Sequence, residues 1–139
     1  MPGPPVPDLP TGTVTFVFTD IEGSTQLVSA LGDAYGPVLE AHAELIRRAI
    51  ADHAGTEVST EGDAFFAVFS SALDAVRAAA DAQRTLASQP WPAGVSVRVR
   101  MGLHTGIGRR GGDSYVGIDV HRAARIGRAS CRERVYDDV

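Results

Sequence analysis

The stretch Thr-Val-Thr-Phe-Val-Phe-Thr, residues 13–19, constrains the fold of this chain most. Val14, Phe16 and Phe18 alternate with Thr13, Thr15 and Thr19, and a period of two is the mark of a β-strand with two distinct faces. The strand runs directly into Asp20-Ile21-Glu22-Gly23-Ser24-Thr25. A surface turn needs one or two such residues, not all of them. Neighbouring carboxylates repel one another, so a cation is a natural partner for this set.

From Gln26 to His53 the pattern becomes helical, with Val38, His42, Leu45, Ala49 and His53 recurring at spacings of three and four. A break is expected near Gly32 or Gly36-Pro37, and Gly55 stops the helix. Glu57–Thr60 and Ala64–Phe69 read as short strands joined by a hairpin tip at Glu61-Gly62-Asp63. Ser71 with Asp74 resembles a capping box, which opens a helix to about Ala87 packing through Leu73, Val76, Ala80 and Leu86. Gln89-Pro90-Trp91-Pro92 breaks the chain. Val95, Val97, Val99, Met101 and Leu103 then alternate against Ser96, Arg98 and Arg100 as a further strand. A Gly- and Arg-rich turn over 108–112 leads to a short strand at 114–116 and a helix from about Ile118. This order predicts an α+β domain: a ferredoxin-like antiparallel sheet with helices on one face.

Composition narrows the function. The 139 residues, 44% hydrophobic and 22% charged, suit one globular domain, and no apolar stretch reaches the ~20 residues of a membrane span. A net charge of −4 disfavours a nucleic-acid-binding surface. All 13 basic residues are arginines, so no role can fall to a lysine of this chain. The lone Cys131 excludes an internal disulfide and suits a reducing, cytoplasmic setting. Residues 1–11 are Pro-rich and read as a flexible leader.

In a βαββ arrangement the first strand lies beside the hairpin, so Asp20 and Asp63 converge at one sheet edge. Two carboxylates and a backbone carbonyl form a hard oxygen site for Mg²⁺ or Mn²⁺. Gly23, Ser24 and Thr25 open a helix, where free backbone N–H groups suit an anion such as a polyphosphate. Each acid alone reads more readily as a turn or cap residue than as a ligand; their joint placement with the Gly-hydroxyl helix start brings the metal reading level with that one. His121 and Arg125, four apart, share one helix face, though spacing alone leaves both as surface residues. His104 reads as structural, and His42 and His53 as packing or capping residues on the helical stripe.

Together, VTFVFTDIEGST, TEGDAFFAVF, VRVRMGLHTG and YVGIDVHRAARI resemble, in order and at family spacing, the catalytic domain of class III nucleotidyl cyclases. The resemblance implies a dimer with active sites at the subunit interface and two bound Mg²⁺ or Mn²⁺ ions. Asp20 and Asp63 match the metal-binding aspartates, and Ile21 the residue lending a backbone carbonyl. The turn from Glu22 through Gly23, Ser24 and Thr25 matches the triphosphate cradle, and Arg125 the transition-state arginine. The implied reaction is attack of a ribose 3′-OH on the α-phosphate of a nucleoside triphosphate, ATP ahead of GTP, yielding a 3′,5′-cyclic nucleotide and pyrophosphate.

Three departures stand out. Ser59 replaces the adenine-reading lysine of adenylate cyclases, and His121 replaces the transition-state asparagine. After Ile126 the expected helix and strands give way to residues 127–139, which lack apolar periodicity and read as a non-native tail on a C-terminally incomplete domain spanning 12–126. These departures support an alternative: a degenerate cyclase-homology module that binds nucleotide or dimerises to regulate other domains. Gly111-Gly112-Asp113 hints at a palm-type diguanylate cyclase, but Ser114-Tyr115 lacks the second acid expected there.

Overall fold

The computed structural model describes residues 9–92, 94–111 and 114–116. Strand β1 (Gly12–Ile21) leads into helix α1 (Ser24–Leu31), a single 3₁₀ turn (Gly32–Ala34) and helix α2 (Tyr35–Asp52). Strands β2 (Thr56–Glu61) and β3 (Ala64–Phe69) form a hairpin, helix α3 spans Ala72–Ser88, and β4 (Val99–Gly111) precedes the three-residue β5 (Ser114–Val116). The strands make one antiparallel sheet in the order β2-β3-β1-β4-β5. This is the expected ferredoxin-like arrangement, with β1 at its centre. The helix expected from about Ile118 lies outside the described residues. Among the described residues no helix is long and apolar enough to cross a membrane.

Helices α2 and α3 cover one face. There Val17, Ile21, Phe65, Ala67, Phe69, Val97 and Val99 pack against Val38, Ile46, Ile50, Ala78, Ala82 and Leu86. The expected break falls at Gly32, whose φ of +55° suits glycine and ends α1. The Ser71 hydroxyl accepts a hydrogen bond from the Asp74 N–H and caps α3 as the sequence predicts.

The packing face of α3 is a correction. Leu73 and Val76 are more than half exposed, and Ala80 is also exposed, while Ala75, Ala78, Ala82 and Leu86 are buried. Alanines let the helix axis approach the sheet closely, a contact that bulkier side chains would hold apart. The strand expected from Val95 begins only at Val99 and continues through Arg109 and Arg110, which were expected in a turn. Both faces of β1 are enclosed. Thr15 and Thr19 face the helices and are buried, and the Thr15 hydroxyl shares a 2.8 Å hydrogen bond with that of Thr105.

The opposite face carries no described helix. Val14, Phe16, Phe66, Val68 and Tyr115 form a second cluster with Leu9, and Phe18 and Val58 lie at its margin. Phe16 stacks on Phe66 at 5.6 Å between centroids and meets the Tyr115 ring edge-on at 5.1 Å. The Tyr115 hydroxyl donates to the Pro10 carbonyl, so residues 9 and 10 lie against this cluster.

Candidate active site

The ends of β1, the β2–β3 hairpin and the start of α1 meet at one edge of the sheet. In the β1–β3 ladder Thr19 lies opposite Phe65, which brings the next residues, Ile21 and Asp63, together where the strands end. There the Asp63 carboxylate takes over the ladder: its Oδ2 accepts the Ile21 N–H at 2.6 Å. Gly62, at φ +58°, lets the two-residue turn deliver Asp63 to that position. Asp63 is therefore held against Ile21, the residue next to Asp20, at one edge of the sheet.

Asp20 is held from the other side. It lies directly opposite Arg100 in the β1–β4 register. Arg100 Nε and Nη2 each donate to one Asp20 carboxylate oxygen at 2.6 Å, a two-pronged pair shielded from water on both sides, with side chains 24% and 17% exposed. Sequence reading missed this partner. The alternating Arg98 and Arg100 of the VRVR run are the only signal, and nothing local says which strand they will face.

Beyond Ile21 the backbone leaves the sheet through Glu22, whose N–H donates to the Arg98 carbonyl at 2.7 Å. Gly23 then adopts a left-handed conformation (φ +65°, ψ +37°) and starts α1, with Leu27 N–H closing the first turn onto the Gly23 carbonyl at 3.0 Å. Among the described residues no side-chain cap closes this helix, so its first N–H groups, around Ser24 and Thr25, have no such partner there. A cleft of about 390 Å³ opens beside them, bordered in part by Glu22, Gly23, Gln26, Ser96 and Arg98.

Behind the hairpin, Asp63 faces helix α2. Burial pushes the His42 imidazole below its ordinary value, and the nearby Asp63 charge and Leu39 carbonyl recover only part of that shift. His42 is fully buried, its ring edge-on to Phe65, and neither nitrogen has a well-formed hydrogen bond among the described residues. Burial also raises the Tyr35 phenol, with Asp63 adding to the effect. His42 is thus a core residue, and His53 ends α2, 3.3 Å from the Asp81 carboxylate.

Ser59 is exposed on the edge strand β2. A register shift between Glu57 and Ser59 sets Ser59 opposite Phe66, and Phe66 lies opposite Phe18, so all three share a row on the face that carries no described helix. Glu57 faces the other way, and the Arg47 guanidinium holds its carboxyl below the usual range. Arg47 in turn lies over the Phe65 ring at 5.1 Å. His121 and Arg125 fall outside the described residues.

The donor chemistry fits a hard divalent cation: two carboxylates and the Ile21 carbonyl are all oxygen ligands. Among the described residues no cluster of three or more His, Cys, Asp or Glu side chains is placed to hold a metal. Any ion here would therefore rely on these few groups, water and a bound substrate.

Over residues 6–121 the chain matches the adenylate and guanylate cyclase catalytic domain family, and it belongs to that family. It is 35% identical over 119 residues to an uncharacterised protein of Mycobacterium tuberculosis, covering 84% of this chain and 39% of that protein. It is 34% identical over 144 residues to an adenylate cyclase of Podospora anserina, covering 84% of this chain and 7% of that enzyme. The chain thus spans at most about two-fifths of the curated relatives it matches here. Among solved structures it resembles an adenylate cyclase from Trypanosoma brucei in its monomeric state, with TM-score 0.78, 28% identity, and 87% of this chain and 71% of that one covered.

Proposed function

We propose that this domain is a nucleotidyl cyclase, converting a nucleoside triphosphate to a 3′,5′-cyclic nucleotide and pyrophosphate. The observation that carries this reading is the 2.6 Å bond from Ile21 N–H to the Asp63 carboxylate, which holds Asp63 against the residue next to Asp20, beside the start of α1. Asp20, Asp63 and the Ile21 carbonyl would hold two Mg²⁺ or Mn²⁺ ions. When bound, such ions supply activation of the attacking hydroxyl and neutralisation of the leaving pyrophosphate.

The remaining roles belong to the chain. Glu22 and Gly23 carry the backbone into α1, and the N–H groups near Ser24 and Thr25 orient the triphosphate with the positive end of the helix dipole. Holding the sugar hydroxyl and α-phosphate in line contributes much of the rate, since the reaction needs little covalent help from the protein. Arg125 and His121, contributed by a second copy of the chain, stabilise the charge and hydrogen bonds of the transition state. Kinship with adenylate cyclases at 34% and 28% identity favours ATP over GTP. Ser59, short and exposed at the base-reading position, leaves that preference weaker than a lysine would. The setting is an intracellular, cytoplasmic signalling protein working as a homodimer.

The test is cyclic nucleotide formation from ATP and GTP with Mn²⁺ or Mg²⁺. Asp20→Asn is expected to lower turnover at least about a hundredfold, the scale of losing a charge-stabilising group in a transition state. Unchanged turnover in that variant would remove Asp20 from the metal site. The second reading, a regulatory module without turnover, is favoured by the Arg100 pair that occupies Asp20. Nucleotide binding without product in the same assay selects it.

A further inference from the structure

The two carboxylates assigned to the cation site are in different states. Asp63 spends Oδ2 on the Ile21 N–H, and its Oδ1 accepts no hydrogen bond among the described residues. Asp20 has both oxygens engaged, each by a different nitrogen of Arg100 at 2.6 Å. A planar guanidinium that grips both oxygens takes the inner edge of the carboxylate, the edge from which a hard cation also approaches. A cation arriving while the fork is closed meets a fixed positive charge at short range.

The pair is also built into the fold. Asp20 and Arg100 sit directly across from one another in a ladder that runs from Gly12–Gly108 to Ile21–Val99 without a break. The sheet thus delivers the guanidinium to Asp20 regardless of any ligand. With both side chains mostly shielded, solvent and salt weaken this attraction less than they would an exposed surface pair.

We propose that Arg100 acts as an internal cation that keeps Asp20 closed to divalent metal, so that metal entry requires the guanidinium to swing away. Arg100 is then a gate on the site, and the free chain binds metal more weakly than its oxygen ligands alone would allow. The gate rests on the reading of Asp20 as a metal ligand. It adds the prediction that the resting site is held shut from within the same sheet.

Mn²⁺ binding to the full chain, measured by calorimetry or by the electron paramagnetic resonance of free Mn²⁺ with no nucleotide present, tests this directly. Arg100→Met is expected to bind Mn²⁺ more tightly than wild type, on the order of tenfold. Arg100→Lys, which keeps the charge but not the fork, is expected to gain about two- to threefold and guards against failure of the methionine variant to fold. Adding Asp20→Asn to Arg100→Met is expected to abolish the gain. A folded Arg100→Met or Arg100→Lys that binds Mn²⁺ no more tightly than wild type overturns the gate. If Asp20→Asn alone still weakens Mn²⁺ binding in that case, the metal site survives without its gate. If Asp20→Asn changes nothing in either background, the metal reading and the gate fall together.

Discussion

Alternate residues of β1 enter two different environments. Thr15, Val17, Thr19 and Ile21 face α2 and α3 in a core with Phe65, Ala67 and Phe69. Val14, Phe16 and Phe18 face the other way, towards Phe66, Val68 and Tyr115, and the same side ends in Asp20 and Arg100. One face is sealed by helices whose small residues allow close contact. The other is an aromatic platform leading to charged groups at its edge. The first face buries the larger cluster, and the second carries the Asp20–Arg100 pair at its end. The strand can serve both because its period of two keeps the faces independent.

The largest expected effect separates the faces by stability. Phe69 is fully buried against the helices, and Phe69→Ala should cost about 3–5 kcal/mol in urea-induced unfolding. Phe18 is only partly buried at the margin of the other cluster, and Phe18→Ala should cost no more than about 1.5 kcal/mol. Equal losses would mean that the face of Phe18 is packed as tightly as the other.

A smaller effect probes how closely the helix-covered face is filled. A Cβ at Gly55 would lie 2.5 Å from the Phe69 ring and 2.9 Å from Ile50. Gly55→Ala should therefore destabilise by about 1–3 kcal/mol through overpacking. Combining it with Phe69→Leu should recover part of that loss, read as non-additivity in a double-mutant cycle. Strict additivity would place the strain elsewhere.

The smallest effect concerns acid. The buried His42 imidazole titrates below its ordinary 6.5, chiefly through desolvation. Between that lowered value and about 6.5 the unfolded chain holds a proton that the folded chain refuses, so stability falls as the pH drops through this window. The contribution is fully present above about pH 6.5, and its slope is at most about 1.4 kcal/mol per pH unit. His42→Leu should flatten that part of the unfolding profile at little cost near neutrality, because neither ring nitrogen has a well-formed bond to lose among the described residues. An unchanged acid slope would assign it to other groups.

Short-range patterns carried much of this molecule. The alternation in residues 13–19, the Ser71 cap, the Glu61–Asp63 tip and the glycine that starts α1 each depend on neighbours a few residues away. The placement of Asp20 and Asp63 at one edge followed from strand order. The packing face of α3 was misread because Leu73 and Val76 outrank alanines in hydrophobicity, whereas the sheet selects for close approach. Arg100 was missed because its partner is 80 residues away in sequence, and only strand register can join them.

The sequence by itself determined the order of elements, the family of the domain and the oxygen donors of the proposed metal site, because these rest on local periodicity and motif spacing. The tertiary structure alone decided which face each strand turns to the helices, the burial of His42 beside Asp63, and the guanidinium that holds Asp20. Those outcomes depend on register and on how near two surfaces can come. Both are set by long-range pairing, which no local run of residues encodes.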